Sequence, residues 1–270
     1  MNTPQPTTTR LSYSTGPLQF GEMHLPTGQG PHPVAILIHG GFWRNLYNYT
    51  LMTSLGEDLA KRGIAAWNIE YRRVGDEGGG WPGTFLDVAM ATDFLRAIIP
   101  AYHLDPQRII ALGHSAGGHL ALWLAARRKL SPDSPLGGSS SSGTEKPLAL
   151  TGVVSLAGVN DLEFSWQRHL GNDAATELLN GGFDDVPERY AAASPAAMLP
   201  LGVPQVLVHG TADDSVPYEM STTYLAKAQA AGDRVKLITL EGEDHLVLIN
   251  AQSEAWEKTV AAMRELMGMN

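Results

Sequence analysis

The chain of 270 residues contains no cysteine. That excludes disulfide frameworks, Cys-ligated metal sites and thiol nucleophiles, so any nucleophile must be oxygen or nitrogen. Basic side chains are also scarce: 19 Lys and Arg stand against 28 Asp and Glu, for a formal net charge of -9. With no Lys/Arg stripe to neutralise phosphates, nucleic acid is not an expected partner. No apolar stretch approaches the ~20 residues that a membrane span needs. The segment Met1–Arg10 has neither a basic nor an apolar region of the kind that opens a secretory signal. The expectation is a soluble, cytoplasmic protein with no membrane partner.

What is present is an ordinary globular balance, 43% apolar and 17% charged, in one chain long enough for a single large α/β domain with a well-buried core. Residues 1–10, polar with two prolines, predict a loose leader, and 18–25 alternates like an edge strand. The continuously apolar run at 34–38 predicts a strand covered on both faces, and further strands are predicted at 64–69, 108–112, 150–156, 205–209 and 236–240. Between them lie helical patterns at 50–62, 84–99, 115–128, 218–231 and 253–267. The alternation implies a mainly parallel sheet with helices on both faces and ligands at the carboxyl ends of the strands. Two stretches break the rhythm. Ser131–Pro147 is dense in Ser, Gly and Pro and predicts a flexible surface loop. Residues 160–200 are too long for a strand-to-helix connection and predict a small cap or pocket wall.

The chemistry is carried by Gly113-His114-Ser115-Ala116-Gly117, placed between a predicted strand and a predicted helix. A serine there is pushed out as a nucleophile, and glycines relieve the crowding of a sharp strand-to-helix reversal. The bland alternative is a helix N-cap, which serine fills commonly. A serine hydroxyl is unreactive at neutral pH and needs a base and an orienting acid from other strand ends. His245, after the last predicted strand, is the best placed of nine histidines. His39, His114 and His209 adjoin glycines at strand ends and read as structural or supporting residues, and His119 as packed within its helix. Asp213 follows the strand at 205–209; Asp214 beside it and Asp161 after the preceding strand are its competitors. Acyl transfer also needs preorganised N–H donors for a developing oxyanion, each worth roughly 2.7–4 kcal/mol. The run His39-Gly40-Gly41-Phe42-Trp43 supplies such a donor loop of backbone N–H groups, alongside the N–H of Ala116.

These motifs together, in this order, resemble the α/β-hydrolase superfamily, and Trp43 after His39-Gly40-Gly41 is similar to the esterase/lipase branch that includes kynurenine formamidases. The resemblance implies an α/β-hydrolase fold with a small cap insertion. Ser115 is then the nucleophile, His245 the general base and acid, and Asp213 its orienter, with Gly41, Phe42 and Ala116 as oxyanion donors and no metal or organic cofactor. Phe42 stands where a third glycine is usual, but it retains an N–H. The expected function is a serine hydrolase cleaving a small carboxylic ester through an acyl-enzyme. The alternatives are an arylformamidase acting on N-formylkynurenine, with Phe42, Trp43, Trp81 and Trp166 as aromatics for a pocket and Trp43 and Trp166 expected to bind substrate, and a non-catalytic binding protein on a hydrolase scaffold. The sequence leaves the oligomeric state open.

Overall fold

A computed structural model describes residues 5–137 and 146–269. Among these, eight strands form one sheet: β1 (Thr7–Ser12), β2 (Phe20–Leu25), β3 (His32–Ile38), β4 (Ala65–Ile69), β5 (Leu104–His114), β6 (Gly152–Leu156), β7 (Gln205–Gly210) and β8 (Val235–Leu240). Their order across the sheet is β1-β2-β4-β3-β5-β6-β7-β8, with β1 and β2 antiparallel and β3 to β8 parallel. Among the same described residues eight α-helices connect and cover it: α1 (Thr53–Lys61), α2 (Gly83–Ile98), α3 (Ala116–Ala126), α4 (Leu162–Gln167), α5 (Ala174–Leu179), α6 (Pro187–Ala193), α7 (Glu219–Ala230) and α8 (Glu254–Leu266).

Strands β3, β4, β6 and β7 are buried throughout because both faces of the sheet are covered there. Side chains alternate across a strand, so Val34, Ile36 and Ile38 of β3 enter the core shared with α2, α3 and α7. Ala35 and Leu37 enter the opposite core, shared with α1 and α8. Helix α3 is buried along its whole length, which explains why it is apolar all round.

Three expectations need correction. Thr7–Arg10 are not part of a loose leader: with Leu11 and Ser12 they form β1, paired with β2 from Thr7↔Leu25 to Ser12↔Phe20. A run of β-branched threonines suits an extended backbone even where the side chains stay exposed. Arg10 anchors the strand, donating to Glu22 at 2.8 Å with its guanidinium 4.2 Å from the Phe20 ring centre. Consequently β2 is an inner strand, not the edge. Residues 160–200 do form an insertion, made of α4, α5, α6 and a 3₁₀ turn at Pro195–Met198, but it packs beside α3 and does not line the cavity described below. Within the expected leader and loop, residues 1–4 and 138–145 lie outside the described residues. No helix among the described residues is long and apolar enough to cross a membrane.

Candidate active site

Strand β5 ends at His114 and α3 begins at Ala116, so one residue must carry the whole reversal. Ser115 does so at φ 57° and ψ -122°, a region that costs a non-glycine residue of order 1–3 kcal/mol. The flanking glycines are steric requirements. A Cβ on Gly113 would stand 2.0 Å from the Gly117 carbonyl oxygen, and one on Gly117 would stand 2.0 Å from the Ile38 carbonyl oxygen. The turn is held by backbone bonds: Ser115 N–H donates to the Leu156 carbonyl at 2.8 Å.

His245 lies beyond β8 and lines the same cavity as Ser115, a space of about 380 Å³. Its Nδ1 is 2.6 Å from Asp213 Oδ2, and Asp213 follows β7. The other Asp213 oxygen accepts the N–H groups of Ser215 (2.9 Å) and Val216 (2.8 Å), and His209 Nε2 lies 3.2 Å from Oδ2. Burial pushes the Asp213 carboxyl up, but the bonds from His209 and His245 outweigh it and hold the group well below the usual carboxylate range. The carboxylate is therefore charged and fixed against the imidazole. Among the described residues no hydrogen bond joins Ser115 to His245; the cavity wall is what they share.

The competing acids are placed elsewhere in the network. Asp161 caps α4 by accepting the Phe164 N–H at 3.2 Å and pairs with Lys227 at 2.6 Å. Asp214 lines the cavity, but its described bond is one accepted from Ser215 Oγ at 3.1 Å.

The peptides expected to donate to an oxyanion are each pinned through their carbonyls. His39 Nδ1 bonds the Gly40 carbonyl at 2.8 Å, and the Arg44 N–H bonds that of Gly41 at 3.0 Å. In a trans peptide the N–H points opposite to its carbonyl, so these bonds also fix the directions of the Gly41 and Phe42 N–H groups. The Ser115 carbonyl accepts from Gly118 (2.9 Å), His119 (3.2 Å) and Val159 (3.3 Å), which orients the Ser115–Ala116 peptide and the Ala116 N–H at the first turn of α3. Gly41, Phe42 and Trp43 all have positive φ, at 110°, 49° and 58°. Further bonds hold this loop: Val74 N–H to Trp43 O at 2.8 Å, and Arg73 to the Tyr47 carbonyl.

His114 adds a support from the elbow itself. Its Nε2 donates to the His245 carbonyl at 2.9 Å, and the two rings lie 4.4 Å apart. Burial and the neighbouring His245 lower its pKa to about 3, so the ring is neutral. His119 is neutral too, lowered by burial to about 4; its Nε2 donates to Ala193 O at 2.9 Å and its Nδ1 accepts from Trp43 Nε1 at 3.2 Å.

That last bond corrects an expectation. Trp43 is fully buried and does not line the cavity, because its positive-φ backbone turns the indole inward against His119. Trp166 packs on Phe183 at 5.7 Å within the insertion and is likewise away from the cavity. The side chains that do line it include Tyr47, Leu51, Leu246 and Ile249. One signal for them existed in the sequence: Leu246 to Ile249 is an apolar run outside any strand or long helix, directly after His245. Among the described residues no group of three or more His, Asp or Glu side chains is arranged to hold a metal.

A family model described as BD-FAE matches residues 22–228. The chain belongs to the BD-FAE family. This is an α/β-hydrolase esterase family. Among curated proteins the chain is similar to isoprenylcysteine alpha-carbonyl methylesterase of Arabidopsis thaliana, 28% identical over 87% of this chain and 55% of the relative. It is also similar to esterase LipC of Mycobacterium tuberculosis, 26% identical over 87% of this chain and 59% of the relative. The chain thus spans a little over half the length of these two relatives. Among solved structures, a truncated carbohydrate esterase from gut microbiota superposes with a TM-score of 0.82 at 20% identity, covering 98% of this chain and 97% of that one. Esterase 2 of Thermogutta terrifontis superposes with a TM-score of 0.74 at 22% identity, covering 98% and 94%. These likenesses show that this BD-FAE chain has the α/β-hydrolase fold.

Proposed function

We propose that the protein is a serine esterase that hydrolyses a carboxylic ester through an acyl-enzyme. The observation that carries this is one cavity lined by a strained Ser115 and by His245, whose Nδ1 is bonded to a buried, charged Asp213. Ser115 Oγ attacks the ester carbonyl carbon while His245 Nε2 takes its proton. The carbonyl oxygen becomes an oxyanion held by the N–H groups of Gly41, Phe42 and Ala116. Collapse expels the alcohol, which receives the proton from His245. Water, deprotonated by the same imidazole, then attacks the acyl-serine and releases the acid. Asp213 keeps Nδ1 protonated and Nε2 free for this work. Membership of an esterase family and the esterase relatives support the reading.

The formamidase alternative draws on Phe42, Trp43, Trp81 and Trp166. Of these four Phe42 alone lines the cavity, and a single ring there does not favour a formamide over an ester. The test is turnover of 4-nitrophenyl acetate by the wild-type and Ser115→Ala proteins, with fluorophosphonate labelling followed by peptide mapping. Expected are loss of at least roughly 10³-fold activity and labelling at Ser115. Full activity in Ser115→Ala, or an unlabelled Ser115, overturns the proposal.

A further inference from the structure

Three large apolar side chains are conspicuously exposed among the described residues: Leu46 at 79%, Tyr47 at 51% and Leu246 at 64%. Two of them meet at one cavity. Tyr47 and Leu246 line the cavity that holds Ser115 and His245, and Leu46 adjoins Tyr47 in the chain. Tyr47 also covers the loop expected to bind the oxyanion, since a Cβ on Gly41 would meet Tyr47 Cδ2 at 2.7 Å and Cβ at 2.8 Å. Its backbone is held by Arg73, so the exposed ring stands on an anchored loop. Exposed apolar groups gathered at the mouth of a cleft mark a surface that a ligand covers.

Among the described residues the same cavity is lined by Asp214 and Asp244 and by no Lys or Arg. Both carboxylates are fixed by their own loops. Asp244 Oδ1 accepts the N–H groups of Leu246 and Val247, each at 2.9 Å, and Asp214 accepts from Ser215 Oγ. A negatively charged group entering this mouth meets two carboxylates with no compensating cation in the wall, a repulsion that acts as selection against it. An uncharged alkyl arm meets no such barrier and removes apolar surface from water.

Resting on the acyl-transfer reading above, we propose that the substrate is an ester with an uncharged, apolar arm that leaves the cavity across Leu46, Tyr47 and Leu246, and that Asp214 and Asp244 exclude arms carrying a carboxylate or phosphate. Two matched series test it: 4-nitrophenyl esters of acids from two to eight carbons, and acetates of alcohols over the same range. In at least one series kcat/KM is expected to rise roughly 10-fold or more with length. The double variant Leu46→Ser/Leu246→Ser is expected to abolish that rise, lowering kcat/KM for the longest ester at least roughly 10-fold more than for the shortest. The mono-4-nitrophenyl ester of succinic acid is expected to be turned over at least roughly 30-fold less efficiently than the 4-nitrophenyl ester of valeric acid, which has one more carbon and no charge. Asp214→Asn/Asp244→Asn is expected to narrow that gap at least roughly 10-fold.

Binding of the same esters to Ser115→Ala, followed by tryptophan fluorescence, reads the rim without turnover. Binding that tightens with arm length while the wild-type protein hydrolyses nothing sinks the acyl-transfer reading and leaves the rim standing. Binding and turnover indifferent to length in both series, or an unchanged penalty for the anionic ester in the Asn variant, overturn the rim proposal.

Discussion

Three aspartates compete on paper for one role, and hydrogen bonding separates them. Asp213 directs one carboxylate oxygen at His245 and the other at two backbone N–H groups, whereas Asp161 serves a helix cap and a lysine. Asp213→Asn presents an amide where an anion held the imidazole, so the tautomer that frees Nε2 is no longer enforced. Ester kcat/KM is expected to fall roughly 10³–10⁴-fold. Asp161→Asn, outside the cavity, is expected to change it less than about threefold. Steady-state kinetics of the two variants decide, and comparable losses in both would refute the assignment. His114 sets a second test at this scale. The His114→Phe variant keeps a ring beside His245 but leaves the His245 carbonyl without its donor, so a kcat drop of roughly 10-fold is expected. Because His114 titrates near 3, the acid limb of kcat/KM must stay where it was. A shifted limb would show that His114 acts by charge rather than by position.

At the scale of the element, the turn from β5 into α3 is defined by backbones in contact. On Gly117 a methyl group meets the carbonyl oxygens of Ile38 and His39 at 2.0 and 2.6 Å, so Gly117→Ala must drive α3 away from β3. The expected cost is about 3 kcal/mol in urea denaturation, together with loss of activity. Gly63→Ala has no atom within 4 Å and bears only the strain of φ 84°, so about 1 kcal/mol with activity retained is expected. Equal costs at the two glycines would contradict this picture. The elbow was legible in the sequence because its requirements are local: an apolar strand, small flanks and a helical pattern. Strands β3 to β7 were legible for a related reason, since burial on both faces favours mostly apolar side chains, whereas β8 at the sheet edge is only partly buried. Strand β1 was not legible, because its stability lies in a ladder with β2 and not in its own exposed threonines. Trp43 was misplaced because a positive φ at three successive residues, which composition does not reveal, decides which way the indole turns. Tyr47 was missed because its position depends on Arg73 and Val74, remote in sequence, holding the loop down.

For the whole molecule, the buried imidazoles make stability depend on acid. The native fold holds His114 neutral down to about 3 and His119 down to about 4, against an ordinary value of 6.5 in the unfolded chain. Below pH 6.5 the unfolded chain therefore binds protons that the native one refuses. The stabilisation from keeping these rings neutral is complete above that pH and is lost as pH falls toward the native values. Each ring contributes a slope of about 1.4 kcal/mol per pH unit once its unfolded form is fully protonated. His24, lowered by burial, adds in the same direction. Asp213 works the same way at lower pH, since its depressed carboxyl stays charged while the unfolded one takes up a proton. Against a total of about 5–15 kcal/mol, this loss is a large share by pH 5. Urea midpoints measured from pH 8 to pH 4.5 should be flat above 7 and fall steeply below 6. His119→Gln is expected to be less stable at pH 8, because Trp43 and Ala193 lose their bonded partner, yet to show a slope shallower by about 1.4 kcal/mol per pH unit. A wild-type stability that stays level from pH 7 to pH 5 would mean that these rings are reached by solvent and protonated in place.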